Sequence, residues 1–164
     1  MDWYPWIVAA HVVGAFGFVL GHGVSAIGAF RMRADPRPEN VAAIIGVSSA
    51  SFAVMYPFLL LLLVAGIAAG FIGEWWGSLW LWASVGILVL VIVAMIGIGT
   101  PYYIRVRHAV GMTAPQDRKN ADPPVALPPD ELAELLRSRR PEVLALVGGS
   151  GLLAITLLML MKPV

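Results

Sequence analysis

Apolar residues run in four long blocks along the chain, separated by stretches where prolines and charges gather. A helix needs about 20 mostly apolar residues to cross roughly 30 Å of hydrocarbon, and blocks at about 6–30, 41–72, 79–104 and 142–161 each meet that length. The first is closed by Arg31-Met32-Arg33-Ala34-Asp35-Pro36-Arg37-Pro38, whose arginines stop insertion and whose prolines stop the helix. The second is longer than a bilayer requires, so its 41–51 portion is expected to tilt or to lie at the interface, with a kink near Pro57. Pro101 is expected to bend the last turn of the third. Together the blocks predict an all-α chain, an integral membrane antiparallel four-helix bundle forming a single membrane domain over residues 1–164.

The connections are unequal. Residues 73–78 form a short link, whereas residues 105–141 form a long loop whose 113–129 portion is proline-rich and irregular. Its end, 129–140, carries Asp130 and Glu131 in the first turn and Arg137, Arg139 and Arg140 in the last, with leucines at 132, 135 and 136. That order predicts a short amphipathic helix matched to its own dipole, its apolar face lying on the membrane or under the bundle.

Composition sharpens this picture. With 59% hydrophobic and 13% charged residues, most of the chain has lipid as its solvent. The absence of cysteine excludes disulfides, thiolate metal sites, iron–sulfur clusters and cysteine nucleophiles. A net charge of +1 leaves no footprint for nucleic acid. The placement of charge is more telling than its sum. Every Lys and Arg except Lys162 falls in 31–37 or 105–140, on one side of the predicted bundle. The positive-inside rule makes that side cytoplasmic and puts both termini outside. Trp3, Trp6, Trp75, Trp76, Trp80 and Trp82 fall near the opposite interface, and Tyr102 and Tyr103 near the basic one, in agreement. The leader before Ile7 has no basic residue and no cleavage pattern precedes Arg31, so the first block reads as a retained anchor.

Candidate chemistry is sparse. The blocks contain no Asp, Glu, Lys or Arg apart from Glu142 at an edge, which argues against a proton-coupled transporter acting through this chain alone. No complete catalytic motif is present, so the reading leans away from an enzyme and names no catalytic residue. Gly148-Gly149-Ser150-Gly151 lacks the strand and lysine of a phosphate loop. His11 and His22 are the remaining ionisable candidates. Eleven residues is close to three helical turns, so both project from nearly one face, about 16 Å apart. One metal ion cannot bridge them, but two stacked cofactors, or one cofactor and one hydrogen-bonding site, can use them. Gly14, Gly17, Gly21, Ser25 and Gly28 run beside them at spacings of three and four, a stripe that lets a second helix or a flat macrocycle approach closely. By depth, Met159 matches His11, and Met55 and Met95 match His22, either as second ligands or as gap fillers of an apolar core. Gly66-x-x-x-Gly70 suits close helix contact.

Trp6-x-x-x-x-His11, the glycines after it, the arginines closing the first block and Trp80-x-Trp82 opening the third give the chain a resemblance, over roughly residues 6 to 108, to a broad group of bacterial proteins. These are small four-helix integral membrane proteins of unknown function, related to CopD-like copper-resistance domains and HemJ-type protoporphyrinogen oxidases. The resemblance implies the cytoplasmic membrane of a bacterium. The HemJ type implies haem binding at the position of His11; its second-helix lysine has no counterpart here, so the oxidase activity does not carry over. Two readings follow. In one, His11 and His22, backed by Gly14, Gly17 and Gly21, hold b-type haem for electron transfer. In the other, the chain is a non-catalytic accessory subunit packing with other membrane subunits or with itself as a homo-oligomer.

Overall fold

The computed structural model describes residues 2–120 and 122–163, and among these every regular element is helical. Helix α1 spans Tyr4–Ala34 and begins with Pro5 in its first turn, where the missing N–H costs nothing. It stops at Asp35, because the residue before a proline is forced out of the helical region. Pro38 then opens α2, Pro38–Ile72, which stays helical through Pro57. A tight link follows, with Glu74 in the left-handed region at φ 58° and a single 3-10 turn at Trp75–Gly77.

Helix α3, Leu79–Ala94, passes through a π turn at Met95–Gly99 into α4, Thr100–Ala109. Pro101 explains the π turn. Its ring has no N–H to return to the carbonyl of residue 97 and crowds that carbonyl, so the preceding turn widens to make room. The rod therefore remains continuous over Leu79–Ala109, past the end that the apolar block marks. Helix α5, Pro129–Leu136, and helix α6, Arg140–Met161, complete the chain. Among the described residues, four helices are long and apolar enough to cross a membrane, and the all-α, antiparallel four-helix arrangement that the hydrophobic pattern predicts is the one adopted. The chain is a small multi-pass membrane protein.

The helices pair off. α1 and α2 pack along their length, α3 packs on α6, and the two pairs meet chiefly near their ends. At the basic end, Ala29 and Met32 of α1, Val41 and Ile45 of α2, Tyr102, Val106 and Ala109 of α4, and Leu132 and Leu136 of α5 form one buried core. Arg33 and Glu142 add an ion pair from α1 to α6. At the tryptophan end, the Trp75 indole N–H donates to the Tyr4 hydroxyl at 3.0 Å, and the Lys162 ammonium sits 4.3 Å from the centre of the Trp75 ring. Between these ends, residues such as Phe16, Leu20, Leu90 and Leu153 point outward, which is where lipid tails belong.

Candidate functional site

The small-residue stripe of α1 faces α2. Gly14, Gly17, Gly21 and Gly28 are all buried. A methyl group added at Gly14 would lie 2.6 Å from the backbone nitrogen of Leu62, one at Gly17 would run into the Phe58 ring, and one at Gly21 would lie 3.0 Å from the Met55 Cα. These glycines let the two helix backbones approach to a distance that any side chain would prevent. Farther along the same seam, the Ser25 and Ser48 hydroxyls share a hydrogen bond of 2.7 Å.

His11 belongs to this seam. Its Nδ1 lies 2.8 Å from the Leu62 carbonyl oxygen, and since a carbonyl can only accept, Nδ1 carries the proton and donates it. Gly66 makes the place for the ring: a methyl there would stand 2.7 Å from Nδ1. Leu62 and Gly66 are one turn apart on α2, so one provides the acceptor and the other the space. The bond sets the tautomer of the neutral ring and leaves Nε2 with its lone pair. His22 is placed differently. It stacks on Phe18, one turn earlier, with ring centroids 5.6 Å apart and planes 11° from parallel, and it makes no hydrogen bond among the described residues.

Two of the three methionines matched by depth, Met55 and Met95, sit against glycines. Met55 is buried against Gly21, and the Met95 methyl group lies where a side chain at Gly148 would be, 2.8 Å from its first carbon. No group of three or more His, Cys, Asp or Glu is assembled among the described residues. The partnership of His11 with Leu62 and Gly66 was not read from the sequence. Gly66-x-x-x-Gly70 marked α2 as a close-contact helix, but nothing in the motif says which side chain fills the space.

The charged groups act at the basic end. Arg37 donates two hydrogen bonds to Asp35, at 2.8 and 2.7 Å, and Asn40 donates a third at 2.6 Å. The Arg37 hydrogen bonds, ahead of its charge, hold the Asp35 carboxyl down at about 2. In the long loop, Asp117 accepts the Ala114 N–H at 2.6 Å and sits 3.0 Å from His108 Nε2; those bonds keep its carboxyl below the usual range. Both carboxylates are thus occupied in fastening turns.

No protein-family model, curated protein or solved structure matches this chain.

Proposed function

We propose that this chain is a non-catalytic accessory subunit, a small membrane protein that packs beside other membrane subunits or a second copy of itself. The observation that supports this is a set of open glycines within the spans. At Gly23, Gly46, Gly86, Gly97 and Gly149, nothing among the described residues, beyond the chain neighbours and the helix's own local backbone, comes within 4 Å of where a side chain would begin. Glycine inside a helix costs roughly 0.5–1 kcal/mol relative to alanine. Lipid draws no benefit from so small a surface, whereas a neighbouring helix does.

Gly86→Leu and Gly149→Leu test this reading, because neither substitution meets an obstacle in the chain's own fold. Thermal stability in detergent should stay at the wild-type level while cross-linked species seen in native membranes revert to the monomer. A wild-type chain that cross-links to nothing in its own membrane would end the proposal.

The His11 tautomer favours a second reading, b-type haem held for electron transfer. Ligating histidines commonly donate their other ring nitrogen to a backbone carbonyl, and His11 is set up in this way, with Nε2 left to coordinate. The fit is partial. Gly14, Gly17 and Gly21 are filled by α2, so a macrocycle would have to reach Nε2 from outside the seam, and Met55 and Met95 are engaged with glycines. The residue that would hold the group is therefore His11, through Nε2, without an enclosed pocket around it; the haem would supply the electron-accepting iron. This reading expects a Soret band in the purified protein that His11→Ala abolishes. If the protein is colourless before and after reconstitution with haem, the reading fails, and His11→Ala then costs only the seam hydrogen bond, on the order of 1 kcal/mol.

A further inference from the structure

At the basic end, one side of the α1–α2 pair and the turn joining them line an open groove of about 670 Å³, within the range that ligand sites occupy. Its deeper part is walled by Val24 and Ile27 of α1 and by Ile44 and Val47 of α2, over Gly28. Its mouth is lined by Arg31, Asp35, Arg37 and Asn40. The helices are antiparallel, so the apolar walls share one depth and the polar mouth another. From Val24 to Arg31 is about 10 Å along the axis, which carries the groove from hydrocarbon to interface.

Charge at the mouth is unbalanced. Asp35 is taken up by Arg37 and Asn40. Arg31 has no hydrogen bond or ion pair among the described residues and is exposed. Among the lining side chains one guanidinium is therefore left over, at the depth of lipid headgroups and beside a furrow of aliphatic side chains; Glu39, outside the lining, acts on Arg37. A polar loop opening to water would need no such walls, and an ordinary lipid-facing surface would carry no such furrow ending on a cation.

We propose that this groove is a binding site for one anionic glycerophospholipid, its acyl chain lying between Val24, Ile27 and Val47 and its phosphate diester on Arg31. Guanidinium suits the phosphate because its planar fork donates to two oxygens at once. Juxtamembrane bases recognise anionic headgroups by this charge, with an effect that falls away in salt. The proposal stands whether or not the chain joins a larger complex.

Native mass spectrometry of the full chain in detergent tests it, with phosphatidylglycerol, phosphatidylcholine and inorganic phosphate as separate probes. Wild type should retain one phosphatidylglycerol with about fivefold preference over phosphatidylcholine. Arg31→Gln should bring the two lipids level, and Ile27→Trp should reduce retention of both by filling the furrow. Arg118→Gln, in the loop away from the groove, should keep the wild-type preference. Inorganic phosphate should neither bind nor compete. The proposal is overturned if Arg31→Gln keeps the preference, if Arg118→Gln loses it, or if inorganic phosphate competes, which would mark a free-anion site. Each variant's melting profile, expected to match wild type because Arg31, Ile27 and Arg118 are all exposed, separates lost binding from lost folding.

Discussion

Gly14→Ala should melt well below wild type in detergent, with a loss of about 1–3 kcal/mol, the range for forcing extra atoms into a packed site. The added methyl would meet the backbone nitrogen and Cα of Leu62 at 2.6 and 2.8 Å, and a helix backbone cannot move aside locally. The two helices must separate, and separation weakens the His11 bond to Leu62 and the Ser25 bond to Ser48 along the same seam. The neighbouring glycines grade the effect. Gly21→Ala also meets backbone, but at 3.0 Å, and should cost less. Gly17→Ala would meet Cγ and Cδ1 of the Phe58 ring, so the whole side chain must leave its rotamer, and its cost should fall between the other two. Gly46→Ala meets nothing and serves as the control. A Gly14→Ala protein that melts with the Gly46→Ala control would show that α1 and α2 do not meet along this face.

Leu132→Ala should be the most damaging truncation outside that seam, at about 2–5 kcal/mol. Leu132 is fully buried, at 0% exposure, in the core that joins α1, α2, α4 and α5. Its setting makes the cost high. Within the bilayer, lipid tails are as apolar as leucine, and burying a side chain against another helix brings no hydrophobic gain. The basic-end core borders water, so the transfer of apolar surface counts there in full. Leu153→Ala, on an α6 position exposed at 61%, should by contrast change little. Hydrogen exchange provides the local readout: amides of Pro129–Leu136 should lose protection in Leu132→Ala while those of the spans keep theirs. Unchanged protection of that helix would mean that it is held by something other than its buried leucines.

The four spans were legible in the sequence because insertion into lipid depends on length and hydropathy, which are properties of a linear string. Depth was legible for the same reason: at about 1.5 Å per residue, counting places Met55 level with His22, and the structure sets Met55 against Gly21, one residue away. What counting cannot supply is rotation about the helix axis. The stripe at Gly14, Gly17 and Gly21 suited a second helix and admitted a macrocycle, and only the docking of α2 decides that Leu62, Phe58 and Met55 fill it. The amphipathic pattern near residue 132 left membrane surface and bundle underside both open, and it took Tyr102 and Val106, presented by a rod that runs on past Pro101, to bring α5 beneath the bundle. Whether His11 has an orphaned ring or a bonded one was likewise a matter of partner choice. Sequence alone determined what dissolves in lipid and at what depth; the tertiary structure decided which faces meet, because each glycine and histidine is specified by the surface opposite, and that surface comes from a distant part of the chain.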